Sequence, residues 1–204
     1  MRPSDRSTVA ADVEDDAAVI DASIADPERF AVVFERHAPH IQRYLARRLD
    51  RDHVDDLVAS TILAAFRKRG SYDRHRADAR PWLYGIATNL LRGHRRKEVQ
   101  ALRLRAAVPV GLDEASHADR VATAVSAQAM GAALAAALAA LPAADRDVLL
   151  LIAWEELSYD EVAVALAVPV GTVGSRLNRA RRKVRDALHN TYPATTFEEL
   201  LRDG

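Results

Sequence analysis

Arginine and asparagine side chains share one face of a helix predicted near the C-terminal end of the sequence, where they could bind a polyanion. Arg and Asn can make paired hydrogen bonds to the base edges of guanine and adenine. The polar face carries Ser175, Asn178, Arg179 and Arg182, flanked by Arg176, Arg181, Lys183 and Arg185. At 100° per residue, the apolar residues of this segment cluster within about 80° on the other side: Val173, Leu177, Ala180, Val184 and Leu188. This pattern predicts a helix that binds the major groove of DNA, against the alternative of a surface helix whose arginines only aid solubility.

The residues before this helix follow the pattern of a helix-turn-helix. Ser158 and Glu161 have the spacing of a capping box, in which each side chain bonds to the backbone N–H of the other. Val168 precedes Pro169, and a residue before proline is driven out of the helical conformation. A short helix, a tight turn and a long basic helix complete the motif. The motif alone does not separate a repressor, an activator and a polymerase subunit.

A second basic helix, predicted from Pro81 to about Glu98, carries a tryptophan opposite its apolar side. An exposed Trp could stack on an unpaired base while Asn contacts a base edge and Arg holds phosphates. That side carries Trp82, Gly85, Asn89, Arg92 and Arg96, and the apolar side carries Leu83, Ile86, Ala87 and Leu90. The alternative, in which Trp82 packs against a neighbouring helix, stays open from this segment alone.

Charges are sorted along the chain, although 29 Lys and Arg balance 29 Asp and Glu among the 204 residues. Residues 61–105 hold twelve basic side chains and three acids, and residues 171–189 hold six and one. Residues 1–25 and 142–165 are acidic. Two separate basic blocks in a neutral protein predict two contacts with a polyanion.

Several classes of function are disfavoured by composition. The sequence has no cysteine, which excludes disulfides, thiolate zinc sites, iron–sulfur clusters and cysteine nucleophiles. Its acidic N-terminal stretch has no apolar core, and no run of 18 strong hydrophobes occurs, so neither a secretory signal nor membrane insertion is expected. His37 and His40 stand without a carboxylate at ligand spacing, and no phosphate loop or nucleophile motif occurs. We expect a cytoplasmic protein with no metal, no cofactor and no catalytic residue.

Hydrophobic periodicity places further helices before the tryptophan helix. It predicts one helix from near Pro27 and another over Asp52–Arg69 that is capped by Gly70. No alternating apolar run is present, so the predicted fold is all-α, with two small helical domains joined by a flexible linker. The expected organisation is a disordered acidic N-terminus over 1–25, a first domain over 26–98, a linker over 99–130, a helix-turn-helix domain over 131–189 and a tail over 190–204.

Three runs of the sequence resemble the conserved regions of bacterial sigma-70 family RNA polymerase sigma factors of the compact extracytoplasmic-function (ECF) group. They are DDLVASTILAAF from Asp55, RPWLYGIATNLLRGHRRK from Arg80 and LSYDEVAVALAVPVGTVGSRLNRARRKV from Leu157. The resemblance covers residues 26–98 and 131–188, in the family's order. The WLYGIATN and GTVGSRLNRAR runs together are highly specific.

The resemblance implies a non-catalytic subunit that directs core RNA polymerase to promoters and helps to open the minus-10 element. Its partners would be core RNA polymerase and promoter DNA, with an anti-sigma factor left open. Core polymerase binding falls on Asp55, Asp56, Leu57, Val58, Thr61 and Ile62, of which the apolar residues serve partly as internal core. Minus-10 DNA binding falls on Arg80, Trp82, Asn89, Arg92, Arg95 and Arg96. Minus-35 DNA binding falls on Ser175, Arg176, Asn178, Arg179, Arg181, Arg182 and Lys183.

Three residues depart from the family's usual pattern. Gly174 stands where Lys or Arg is common, Ala167 stands where Gly is common in the turn, and Gly93 replaces an acid. These departures bear on promoter preference more than on the class of function. Two other classes of function compete with this interpretation, an autonomous DNA-binding regulator and an enzyme. The regulator would need a ligand pocket or a dimer interface in the N-terminal half, where the sequence instead has a basic, aromatic-bearing helix.

Overall fold

The computed structural model describes residues 14–106 and 125–191, and every regular element within these ranges is a helix. The all-α prediction is therefore confirmed. None of the described helices combines the length and the apolar character needed to cross a membrane. The α-helices are α1 (Asp16–Ala25), α2 (Ala31–Ala46), α3 (Arg51–Lys68), α4 (Arg80–Ala106), α5 (Val125–Ala139), α6 (Ala143–Ala153), α7 (Tyr159–Leu166) and α8 (Val170–Thr191). The chain divides into two compact units between Ala87 and Thr88.

The first unit packs α1, α2 and α3 against the beginning of α4. Its core is formed by apolar faces at helical spacing, as the periodicity predicts. The rings of Tyr44 and Tyr84 are both fully buried, and they meet edge to face with their centroids 5.3 Å apart. Short 3₁₀ helices lie before α2, at Pro27–Phe30, and after α3, at Arg69–Ser71. Gly70 lies in the second of these and does not take the left-handed conformation expected of a helix cap.

The N-terminal residues correct one expectation, because part of the segment predicted as disordered is helical. Asp15 caps α1 by accepting a hydrogen bond from the Ala18 N–H at 2.8 Å. Val19 and Ile20 are buried in the core of the first unit. Two large apolar residues are a weak signal within an acidic stretch, but burying them offsets the cost of ordering the helix. Residues 1–13 lie outside the described residues.

The helices on either side of the expected linker extend further into it than the sequence predicts. Helix α4 continues to Ala106 rather than ending near Glu98, and α5 begins at Val125, ahead of residue 131. Residues 99–106 are rich in Ala, Leu and Arg, and residues 125–130 contain Ala, Gln and Met, all of which are good helix formers. Residues 107–124 lie outside the described residues, as do residues 192–204 of the expected tail.

The second unit contains the predicted helix-turn-helix, formed by α7 and α8. Both hydrogen bonds of the capping box are present, from the Ser158 N–H to the Glu161 carboxylate at 2.7 Å and from the Glu161 N–H to the Ser158 hydroxyl at 3.3 Å. Helix α7 ends at Ala167, which takes the left-handed conformation with φ 52° and ψ 50°. The following Val168 N–H bonds back to the Ala163 carbonyl at 3.0 Å. The turn thus needs the conformation that a glycine adopts most easily.

Candidate nucleic-acid interface

Helix α8 presents the two faces that its sequence predicts. Val173, Leu177 and Ala180 are completely buried, and they seat the helix on the second unit. The opposite residues are exposed: Ser175, Asn178, Arg179, Arg181, Arg182 and Lys183, with Arg176 half-buried beside them. The Ser175 hydroxyl donates to the Thr172 carbonyl at 3.0 Å, which leaves its oxygen free to act as an acceptor. A row of donors on a rigid helix has the chemistry to bind base edges and phosphates.

One residue of this face is held by a partner that the sequence analysis missed. The guanidinium of Arg179 makes a two-point pair with the Asp145 carboxylate, from Nε to Oδ2 at 2.7 Å and from Nη2 to Oδ1 at 2.9 Å. Asp145 lies in the first turn of α6 and is buried. The hydrogen bonds from Arg179 lower the pKa of Asp145 against the opposing effect of burial, and the charges of Lys183 and Arg176 add to this lowering. The partners are 34 positions apart in the sequence, so no local pattern indicates this pair.

The tryptophan of α4 is only partly available to a ligand. Trp82 is half-buried, and its ring lies against the ring of Tyr72 with centroids 5.0 Å apart and planes tilted by 57°. Tyr72 is buried, and its hydroxyl donates to the Arg76 carbonyl at 2.6 Å. Burial, with the nearby charges of Asp16 and Asp78, raises the pKa of the Tyr72 phenol, so the phenol stays neutral. Trp82 thus packs against Tyr72 and keeps part of its surface exposed, and its stacking on an unpaired base stays a prediction.

The remaining predicted minus-10 residues differ in exposure. Asn89 and Arg96 are exposed, whereas Arg80 and Arg95 are half-buried. Arg92 is engaged within the second unit, where its guanidinium donates to the fully buried Asp147 carboxylate of α6 at 2.7 Å. Of the predicted set, Asn89 and Arg96 are thus the most accessible to DNA.

A buried carboxylate holds the segment that leads into α4. Asp16 accepts hydrogen bonds from the Ala79 N–H at 2.9 Å, His37 Nε2 at 2.7 Å and Arg36 at 3.0 Å, while its own N–H donates to the Ala77 carbonyl at 3.0 Å. Burial alone would raise the pKa of Asp16, but the hydrogen bonds from His37 and Ala79 and the neighbouring charges outweigh it and lower the pKa to about 2. We call these contacts the Asp16 clamp.

The Asp16 clamp includes the one group of possible metal ligands within the first unit's described residues. Ligand atoms of Asp16, His37 and Asp78 lie within 4.8 Å of one another. The Asp16 oxygens already accept hydrogen bonds from three protein groups.

The predicted polymerase-binding residues of α3 fall into two groups. Leu57 and Thr61 are buried, and the Thr61 hydroxyl bonds to the Leu57 carbonyl at 2.7 Å, so their side chains belong to the core. Asp55 and Asp56 are exposed, and Val58 and Ile62 are half-buried at the surface. Asp55, Asp56, Val58 and Ile62 thus offer side-chain surface, and the binding of all six residues to core polymerase stays a prediction.

Beside these acids lies an apolar groove between α2 and α3, with a volume of about 440 Å³. Phe34 lines it and is 46% exposed, although in the sequence it recurs with Phe30 and Ile41 at the spacing of one apolar helix face. Gln42 bridges the two helices by donating to Asp55 at 3.3 Å. The lining residues are Phe34, Glu35, Ala38, Pro39, Gln42, Asp55, Val58 and Ala59. The sequence holds no signal that Phe34 is exposed, so the predicted surface was limited to α3.

Comparisons with known proteins match both conserved segments. The family description "Sigma-70 region 2" matches residues 33–100, and "Sigma-70, region 4" matches residues 131–184. The ECF RNA polymerase sigma factor SigE of Mycolicibacterium smegmatis is 32% identical over 155 residues, which cover 75% of this chain and 59% of the relative. The ECF RNA polymerase sigma factor SigW of Bacillus subtilis is 31% identical over 172 residues, covering 81% of this chain and 91% of the relative.

The fold is also similar to a solved structure, that of the sigma factor RpoE in complex with the anti-sigma factor NepR from Bartonella quintana. The TM-score is 0.57 at 22% identity, and the likeness covers 78% of this chain and 96% of that chain. A helix-turn-helix together with a second basic helix is typical of a helical DNA-binding protein. The matches in both conserved regions show that the chain belongs to the sigma-70 family, as an ECF RNA polymerase sigma factor for promoter-specific transcription initiation.

Proposed function

We propose that this sigma factor uses three surfaces to direct core RNA polymerase to its promoters, and that it has no catalytic activity of its own. The exposed face of α8 would bind the minus-35 element. The exposed part of Trp82, with Asn89 and Arg96, would bind the opened minus-10 strand. The acids of α3 and the groove beside them would bind core polymerase in the cytoplasm.

The observation that carries the proposal is the sorting of α8 into two faces: an apolar face, on which Val173, Leu177 and Ala180 are completely buried, and an opposite face of donors. Arg, Asn and Ser on a seated helix fit the division of labour in duplex recognition, in which phosphate contacts position the protein and base contacts specify sequence. An autonomous regulator would share this helix. It would not need a half-exposed tryptophan on a second basic helix, because stacking requires a base that is already unpaired.

The surface proposed for core polymerase rests on shape and charge. Phe34 and Val58 offer apolar area in the groove, and Asp55 and Asp56 supply negative charge beside it. A helical partner with basic side chains flanking an apolar ridge fits such a groove. The anti-sigma factor named with the RpoE structure suggests the same class of partner for this chain. We propose that such a partner would compete with core polymerase for the groove.

Reconstitution tests the proposal directly. The full chain is mixed with purified core polymerase and a promoter library, and transcripts are mapped by sequencing their 5′ ends. We expect starts downstream of a shared pair of elements, and no starts with core polymerase alone. Binding of the chain to duplex promoter DNA without any association with core polymerase would favour the autonomous regulator instead.

A further inference from the structure

The pair between Asp145 and Arg179 bears on how the minus-35 element is recognised. We propose that Asp145 is a positioning residue, which holds the Arg179 guanidinium in the orientation that contacts a guanine edge. The inference rests on the proposed function, since it assigns a further residue to the same DNA-binding face. Asp145 lies on α6, outside the helix that would enter the groove.

The geometry of the pair leaves the useful edge of the guanidinium unoccupied. Asp145 takes one hydrogen from Nε and one from Nη2. A guanidinium has five N–H donors, so both hydrogens of Nη1 and one of Nη2 remain. This end of the group is the planar fork that pairs with guanine O6 and N7. Arg179 can therefore keep its contact with Asp145 while it binds a base.

Asp145 is well suited to hold another side chain because it is itself fixed. Its side chain is only 3% exposed, whereas the side chain of Arg179 is 46% exposed. Its backbone N–H bonds to the Pro142 carbonyl at 3.0 Å, which anchors it in the first turn of α6. A free arginine loses several rotamers when it binds, and a paired one has already lost them. Part of the side-chain entropy of Arg179 is thus already lost when the protein folds, so less is lost when the protein binds DNA.

The alternative is that Asp145 competes with DNA. Its carboxylate would then act as an internal anion that must be displaced before Arg179 binds a base or phosphate. The two readings predict opposite effects of removing the charge. Positioning predicts weaker base preference, whereas competition predicts tighter binding through Arg179.

The test uses holoenzyme formed from core polymerase and the full chain, with a promoter library randomised across the minus-35 element. Base preference at each position is read by sequencing the bound fraction. Arg179→Ala first identifies the base pair that depends on Arg179, where we expect preference to fall about 5- to 150-fold. Asp145→Asn keeps the size of the side chain but replaces one acceptor with a donor facing the guanidinium. It should lower preference at the same base pair about 2- to 12-fold and leave other positions unchanged.

Two further variants separate positioning from other effects. Asp186→Asn removes the same charge from an exposed position of α8, and it should leave the base preference unchanged. In the Arg179→Ala background, Asp145→Asn should have no further effect on that base pair. An equal rise in affinity for every sequence, or tighter binding that depends on Arg179, would overturn the proposal.

A measurement on the unaltered chain covers the case in which Asp145→Asn fails to fold. The Nε–H of Arg179, assigned by NMR through the loss of its signal in Arg179→Lys, should exchange with solvent more slowly than the Nε–H of the exposed Arg182. Equal exchange rates would overturn the pair. If Arg179→Ala changes no base preference, the minus-35 role of Arg179 fails together with the positioning role. If only Asp145→Asn is without effect, the proposed function stands and positioning alone is rejected.

Discussion

The Asp16 clamp gives a stability prediction whose size follows from a pKa. The pKa of Asp16 falls from 3.8 to about 2 in the folded protein. Each pKa unit corresponds to about 1.4 kcal/mol, so the charged carboxylate contributes about 2 kcal/mol to the stability of the first unit. Because the folded pKa is the lower one, this contribution is present above pH 4 to 5 and is lost as the pH falls toward about 2. Asp16→Asn should therefore destabilise the first unit by about 2 kcal/mol at pH 7 and flatten its loss of stability in acid.

The assay is urea unfolding followed by tryptophan fluorescence between pH 7 and pH 3. The chain has two tryptophans, so a Trp154→Phe background leaves Trp82 as the reporter of the first unit. Asp21→Asn is the matched control, because Asp21 is on the same helix and its side chain is 53% exposed in a surface ion pair with Arg74. Such a pair contributes at most about 1 kcal/mol. If Asp16→Asn and Asp21→Asn cost the same, or if the acid sensitivity of Asp16→Asn matches that of the parent chain, the clamp does not have the energy we assign to it.

The remaining predictions concern the proposed surfaces and the turn. Charge reversal by Asp55→Arg with Asp56→Arg should weaken binding to core polymerase in a fluorescence titration. The control Asp160→Arg, in the second unit, should leave the affinity unchanged. Unchanged affinity of a folded double variant would remove this surface from the proposal. Arg176→Ala should weaken binding to all DNA sequences and reduce the salt slope by about one, and a loss confined to one base pair would contradict a phosphate contact. Trp82→Ala should slow open-complex formation, measured by permanganate footprinting, by raising its activation free energy by about 1 to 3 kcal/mol. A promoter already unpaired across the minus-10 element should recover much of that loss. No recovery, together with a lower melting temperature of the protein, would show that Trp82 acts through its packing on Tyr72. Ala167→Gly should raise the free energy of unfolding by about 1 kcal/mol, because Ala167 is held at φ 52°; a lower melting temperature in calorimetry would contradict that argument.

Most elements of the fold can be predicted from patterns among neighbouring residues. The capping box, the proline after Val168 and the apolar stripe of α8 are all properties of neighbouring residues, and each appears in the structure as predicted. The left-handed Ala167 lies at the place where, by the family resemblance, glycine is common in the turn. The helix α1 was missed, since its burial depends on packing against distant segments rather than on a strong pattern of its own.

The candidate site was predictable as a set of residue types but not as a set of partners. The exposed donors of α8 follow from a helical wheel. The pairing of Arg179 with Asp145 and of Arg92 with Asp147 does not, because the acids are separated from the arginines by 34 and 55 residues. In the sequence these acids only contribute to an acidic block. The burial of Leu57 and Thr61, by contrast, follows from the helical periodicity of Asp52–Arg69, which places both on its apolar face.

Helix α1 has a practical consequence for anyone who would work with a shortened chain. The matched family segment starts at residue 33, and a truncation designed on that boundary would discard α1. It would open the hydrophobic core where Val19 and Ile20 now lie, and it would leave the buried His37 without its carboxylate. Such a fragment should aggregate or bind DNA poorly for reasons unrelated to its recognition residues. A minimal fragment for the N-terminal half therefore has to begin no later than Asp15, the residue that caps α1.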